Sequence, residues 1–318
     1  MAEKYLTHLA WRGAVSVSGP DSRSLLQGLL TQDVALADGR HACWGGFLTP
    51  QGRFLHDLFI LQAPGLDSDA LLLEVERERT DDLVQRLSRY RLRARCQITG
   101  LPDAWQVLAL WGEESATTLP LASEPGALVE AHGGLVWRDP RHPVMGLRAL
   151  VPTGATDSLT AAGFVTAPAA AWDAHRIALG VPDGSRDLEA ERSLPMESGF
   201  DGLNGISWTK GCYVGQELTA RMHYRALVKR RLIPVRIDGP LPRTGATIRA
   251  GEAEIGDMRS VANGVKDSPT LALAHVRLDA LKETLTGKQD LWCGEARITP
   301  VLPDWLRQQI DALESRST

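Results

Sequence analysis

Hydrophobic positions recur with a period of two in a first group of short runs. Ala14-Val15-Ser16-Val17 alternates and then breaks at Gly19-Pro20. Two further strands are expected at residues 42–49 and 53–62, separated by Pro50-Gln51-Gly52. Leu71 to Val75 reads as a buried strand. Two helices stand between these runs. Asp21 is a natural N-cap for a helix carrying Leu25, Leu26, Leu29 and Leu30. Leu83, Val84, Leu87 and Tyr90 have the 3.6-residue spacing of a helix over 80–90. The pattern then returns to alternation, with Leu92, Ala94, Cys96 and Ile98 expected inside and Arg91, Arg93 and Arg95 outside. Such a face is either an anion surface or a solvated strand face.

Farther along, strands are expected at Trp105 to Trp111 and Leu147 to Val151, and a helix at Trp172 to Leu179. Val181 to Thr209 has neither period and is rich in Gly, Ser and Asp; irregular segments of this length are often functional. Beyond Arg231 the texture changes to short strands at close spacing, over 232–237, 247–249, 254–261, 271–277 and 291–298. These predict a small antiparallel barrel or sandwich. A domain boundary is placed near 230. Asp304 to Leu313 reads as a terminal helix, with 314–318 fraying.

The 318 residues suffice for two or three packed units, and the formal net charge of −4 argues against a nucleic-acid coat. No run approaches a membrane span, and the start Met1-Ala2-Glu3-Lys4-Tyr5 lacks a basic-then-apolar leader, so a cytoplasmic location is expected. Cys43, Cys96, Cys212 and Cys293 are far apart and form no C-x-x-C pair, so no local metal site is encoded. Walker, Rossmann, zincin and nucleophile-elbow motifs are absent from the sequence.

The most informative stretch is Lys210-Gly211-Cys212-Tyr213-Val214-Gly215-Gln216-Glu217, a glycine-punctuated turn expected to open a helix. A thiol at a helix start, two residues from a lysine, would be stabilised as thiolate. Cys212 is therefore the candidate reactive or ligating cysteine; the alternative is a small buried hydrophobe. Arg221, His223, Arg225, Lys229, Arg230 and Arg231 form a basic cluster. It fits a carboxylate-rich ligand, and equally a charged helix end or an interdomain seam. Tyr224, Tyr213 and Trp208 would also offer stacking surfaces to RNA, although no RNA-binding motif accompanies them.

The block from Leu194-Pro195-Met196-Glu197 through Leu203-Asn204-Gly205 to Lys210-Gly211-Cys212-Tyr213-Val214-Gly215-Gln216-Glu217 resembles the signature of YgfZ-type proteins and their mitochondrial iron–sulfur assembly relatives. The likeness extends to the segments around Gln27 to Val34, Leu48 to Asp57, Arg176 to Pro182 and Ala272 to Asp279. It implies the α+β, three-part cloverleaf of the glycine-cleavage T-protein superfamily. Residues 1–230 would form two interleaved α+β subdomains around a central folate channel, and residues 231–318 an antiparallel β-barrel.

The implied function is a tetrahydrofolate-dependent accessory role in [4Fe–4S] cluster assembly or repair. The expected partners are folate, iron–sulfur carrier proteins and [4Fe–4S] client enzymes. Cys212 and Lys210 would carry the chemistry, with Cys212 also a transient cluster ligand. Asp57, Glu197, Asn204, Tyr213, Gly215, Gln216, Glu217, Arg221 and Arg225 would form the binding set. Glu217 is expected to anchor the loop on helix-start amides, and Arg221 and Arg225 to hold an anion. The sequence departs from the aminomethyltransferase pattern twice: His56-Asp57 replaces paired aspartates, and Ala178 replaces a pterin-gripping glutamate. Two rival readings are a folate-dependent one-carbon transferase and a ligand-free scaffold.

Overall fold

A computed structural model describes residues 3–62, 70–101, 103, 105–262 and 269–317. It divides into two compact units. The first comprises Met1–Pro50, Leu55–Ala169 and Leu203–Val214; the second comprises Gln51–Phe54, Ala170–Gly202 and Gly215–Thr318.

In the first unit the strands are β1 (Tyr5–His8), β2 (Arg12–Ser18), β3 (Cys43–Leu48), β4 (Phe54–Leu61), β5 (Leu71–Glu76), β6 (Gln97–Gly100), β7 (Trp105–Trp111), β8 (Leu128–Ala131), β9 (Gly134–Arg138), β10 (Leu147–Pro152) and β11 (Val165–Thr166). Its helices are α1 (Ser22–Gln27), α2 (Thr80–Arg91) and α3 (Thr156–Ala161). Two sheets result, ordered β3-β4-β5-β2-β6 and β11-β1-β7-β10-β9-β8. The strands β3, β4 and β5 are buried along their whole length, which explains their nearly continuous hydrophobic runs. Val15, Val17, Leu58, Ile60, Leu71 and Leu73 join Leu26 of α1, Leu30 just beyond it, and Leu83 and Leu87 of α2 in one core.

In the second unit the helices are α4 (Ala169–Ala178), α5 (Gln216–Tyr224), α6 (Leu278–Leu285) and α7 (Asp304–Ser317). The strands β12 (Arg230–Asp238), β13 (Thr247–Ala250), β14 (Ala253–Ala262), β15 (Leu271–Arg277), β16 (Leu291–Cys293) and β17 (Ala296–Pro300) close into a barrel, in the order β12-β15-β14-β13-β16-β17. Ile233, Val235 and Ile237 of β12 alternate into its core against Ile248, Met258, Ala274 and Val276. The single strand expected over 291–298 is two, because Gly294 takes φ +60 and turns the chain between them. The expected terminal helix runs on to Ser317 instead of fraying from 314, and Thr318 lies outside the described residues.

The alternating run at 91–98 is also corrected. Helix α2 extends to Arg91 and stops at Leu92, which takes φ +42 and is 88% exposed instead of buried. Only Gln97–Gly100 forms a strand, so no arginine ladder exists. Asp21 does stand at the N-cap of α1, but its carboxylate accepts from the Arg95 backbone (2.7 Å) and side chain (3.2 Å) and caps nothing. Among the described residues no helix is long and apolar enough to cross a membrane.

Candidate functional site

The segment 203–214 is sewn along residues 28–32 of the first unit. Thr31 Oγ1 donates to the Gly205 carbonyl (2.5 Å), and Gln32 Nε2 donates to the Asn204 carbonyl (2.6 Å). The Ser207 amide donates to Thr31 O (3.0 Å), and the Val214 amide to Gly28 O (3.1 Å). The Lys210 ammonium completes the seam by donating to the carbonyls of Leu30 (2.6 Å) and Gln32 (2.8 Å), 5.4 Å from the Tyr213 ring centroid. Burial pulls the Lys210 pKa down to about 8, with nearby Asp33 and Cys43 opposing the shift. It therefore still carries its charge near pH 7.

Beyond that anchor the chain bends at Gly211, with φ +97 and open space where a Cβ would point. The glycine serves the backbone conformation there, not a close contact. Cys212 follows and is exposed, whereas Tyr213 is buried. The thiol thus stands outward on a turn held from below by Lys210.

Two expectations about this segment are corrected. Helix α5 starts at Gln216, with Gly215 as its N-cap at φ +84, so Cys212 lies three residues before the cap. The left-handed Gly215 separates the turn from the helix and restarts the backbone direction. Glu217 does not anchor a loop; it is exposed and pairs with Arg221 one turn later at 2.6 Å. Gln216 is half-buried in the first turn, and Arg225 is the exposed C-cap of α5. One contributor was seen only as punctuation in the sequence. Gly52 takes φ +74, and a Cβ there would meet Gly215 O at 2.9 Å and Leu218 Cβ at 3.0 Å.

Asp57 is almost fully buried, and both of its oxygens are engaged. Oδ1 accepts from Arg12 Nη1 (3.1 Å) and Oδ2 from Trp44 Nε1 (3.3 Å). Arg12 also pairs with Glu74, which pairs with Arg148; Arg141 pairs with Asp139 at 2.6 Å. Three arginines and three carboxylates thus neutralise one another in the interior, which is how buried charge is tolerated. His56, the preceding residue on β4, is also buried, with Nε2 2.9 Å from Asp82 Oδ2. Burial, helped by Arg79 and opposed by Asp82, pushes the imidazole down to about 4, so it is neutral near pH 7. The pair at 56–57 is therefore a neutral ring and a carboxylate committed to structure.

A cavity of about 470 Å³ opens in the same unit, walled by Trp44, Gln32, Asn204, Pro140, His41 and Cys43. Asn204 takes φ +55 and donates its amide to Pro140 O (2.8 Å). Its side-chain oxygen has no partner among the described residues. Cys43 is no second reactive thiol, since burial drives its pKa up to about 12.

In the second unit Glu197 sits in a single helical turn (Pro195–Ser198), 3.4 Å from His275 Nε2. Burial disfavours charge on that ring, but Asp257 and Glu197 outweigh it and raise the pKa. Arg176, at the end of α4, is a hub of this unit. It donates to Asp173 and Asp187 (both 2.7 Å), to Ser260 Oγ (2.9 Å) and to Val181 O (3.2 Å). Burial opposes its charge, yet the surrounding carboxylates push its pKa up. Ala178, two residues on, is exposed.

Asp57, Asn204, Lys210, Cys212 and Tyr213 thus belong to the first unit. Glu197, Gly215, Gln216, Glu217, Arg221 and Arg225 belong to the second. Among the described residues no three His, Cys, Asp or Glu side chains come together as a metal site.

Comparison with known proteins adds three findings. Residues 229–308 match the family model of the CAF17 C-terminal beta-barrel domain. The chain is 32% identical to the mitochondrial iron-sulfur cluster assembly factor IBA57 of Mus musculus, covering 92% of this chain and 83% of that protein. It is 35% identical to the Homo sapiens IBA57 over 74% of this chain and 67% of that protein. The homolog from Coccidioides immitis is 29% identical, covering 94% and 82%. A crystal structure of glycine cleavage system aminomethyltransferase T from Bartonella henselae superposes with a TM-score of 0.75 at 16% identity, covering 96% of this chain and 86% of that one. The fold is thus the expected T-protein fold with a C-terminal barrel. The cytoplasmic expectation is overturned: these assembly factors are all named as mitochondrial, which points to that compartment instead.

Proposed function

Because the chain belongs to the family of IBA57 iron-sulfur cluster assembly factors, we propose that it assists assembly or repair of [4Fe–4S] enzymes with tetrahydrofolate bound. The observation that carries this reading is the exposed Cys212 on a turn pinned by Lys210. Cluster iron takes several thiolate ligands. One exposed thiol, with no second ligand cluster among the described residues, suits a cluster passing between proteins and not a resident one. The other ligands then come from a carrier or a client enzyme. Lys210 acts as a positioning residue, since its ammonium is committed to two carbonyls.

The cavity of the first unit, at about 470 Å³, is large enough for a pteridine. Trp44 backs its wall but is fully buried, so the polar contact falls to Asn204, whose side-chain oxygen, unpartnered among the described residues, offers an acceptor for a ring N–H. Gln32 lines the same space. Tetrahydrofolate, when bound, supplies a reduced ring able to accept or carry a one-carbon unit. Asp57 does not serve as a base toward it, because Arg12 and Trp44 hold both of its oxygens. That commitment, with the neutral His56, weighs against the one-carbon transferase reading.

Two measurements test the proposal. Titration calorimetry with tetrahydrofolate is expected to give saturable heat; heatless mixing at high concentration would leave a scaffold without a small ligand. In cells, Cys212→Ser at normal protein level is expected to lower the activity of [4Fe–4S] enzymes, and unchanged activity would remove the thiol from the mechanism.

A further inference from the structure

The start of β12 and the end of β15 meet in antiparallel register with Arg230 directly opposite Arg277. Like charges across a ladder repel. Lys229 stands beside them, and its carbonyl accepts the Leu278 amide (2.9 Å), which holds the strand ends together. A cavity of about 570 Å³ opens at this point, walled by Val228, Lys229, Arg230, Arg277, Leu278 and Asp279. Asp279 is the one carboxylate in that wall, and it is already paired with Arg277. Among the described residues Lys229 and Arg230 have no ion-pair partner, and neither does Arg225 on the connection leading in. The last residue of α5 and the same connection expose two large hydrophobic side chains, Tyr224 (73%) and Leu227 (42%).

We propose that this groove on the barrel unit docks an acidic segment of a protein partner. Carboxylates of the partner would lie along Lys229, Arg230 and Arg225, and an apolar side chain would cover Leu227 and Tyr224. Charge complementarity sets the class: two unbalanced cations, Lys229 and Arg230, line the groove and a third, Arg225, stands on the connection leading in, on a chain whose net charge is −4. The apolar component decides between macromolecules. A phosphate backbone is gripped by a broad basic face, whereas Leu278 in the groove wall and the exposed Leu227 and Tyr224 just before it in the chain supply apolar surface for a protein interface. The inference needs neither the Cys212 thiol nor folate, so it stands or falls apart from the reading above.

Fluorescence anisotropy on the full chain tests it, with a short labelled peptide of alternating Glu and Asp around a central Leu-Phe pair, at low ionic strength. Saturable binding is expected, weakened about tenfold or more by Lys229→Glu with Arg230→Glu. The neutral pair Lys229→Gln with Arg230→Gln should lose less, with an unchanged melting temperature as the check on folding. Arg236→Glu, farther along β12 and paired with Asp238, should bind as the parent does. Absence of binding by the parent, binding that survives both double variants, or tighter capture of a single-stranded RNA of equal charge would each overturn the proposal.

Discussion

Replacing Lys210 by methionine keeps an unbranched side chain, one atom shorter, and deletes its charge. The ammonium makes two hydrogen bonds, at 2.6 and 2.8 Å, to carbonyls that belong to the segment supporting the turn. Hydrogen bonds to charged groups contribute roughly 1.5–3 kcal/mol each when buried. Lys210 is only half-buried, and water can reach the vacated carbonyls, so about 2 kcal/mol for the pair is the better figure. The cost falls on the seam between 203–214 and 28–32, where the Ser207 and Val214 amides donate to Thr31 and Gly28. In hydrogen exchange, about 2 kcal/mol of local opening speeds those two amides about 30-fold. Lys210→Arg, which keeps a cation, should recover part of the protection. If both amides keep parental protection in Lys210→Met while the protein remains folded, the ammonium does not hold the turn, and its assignment as positioning residue fails.

Other consequences follow from the buried charges and the glycine turns. The folded pKa of His56, about 4, lies below the ordinary 6.5, so the unfolded chain binds more protons between these values. Stability must then fall as pH drops through that window, by up to about 3 kcal/mol; urea unfolding across it should show a shallower slope in His56→Gln, and equal slopes would discard the assignment. Arg176→Met leaves the buried Asp187 without its ion-pair partner, while Asp173 keeps Arg186, and should cost roughly 3–5 kcal/mol by chemical denaturation, with Arg176→Lys recovering only part. Gly52→Ala forces a left-handed alanine against Gly215 O and should cost roughly 1–3 kcal/mol; a neutral or raised melting temperature would show that the start of α5 can yield.

Much of the fold could be read from periodicity because burial imposed it. Val15 and Val17 face the core as alternation required, and Leu83 and Leu87 do so from one helix face. Leu271 to Arg277 was bounded to the residue by the signals around it. The errors lie where backbone geometry, not burial, decides. Alternation at 91–98 persisted in the letters, yet α2 ran through its first residue and ended on a positive φ at Leu92. The helix at Leu278–Leu285 and the hairpin of β8 and β9 went unread; β8 is short, with the mixed burial of an edge strand. At the site, residue types pointed to Cys212 and Lys210 but misread how they are held. A lysine two residues from a thiol suggested activation, whereas its true partners are carbonyls nearly 180 residues earlier in the chain. The buried network of Arg12, Glu74, Arg148 and Asp57 was equally invisible, because no local pattern reveals a long-range ion pair.

The central claim is that an outward-facing sulfur on a lysine-braced bend takes part in delivering clusters. Anaerobic reactivation of a purified apo [4Fe–4S] enzyme, supplied by a loaded carrier protein, measures this directly. The parent protein should speed recovery of enzyme activity, and Cys212→Ser of equal stability should not. Equal acceleration by both would contradict the claim and leave the turn with a purely structural role.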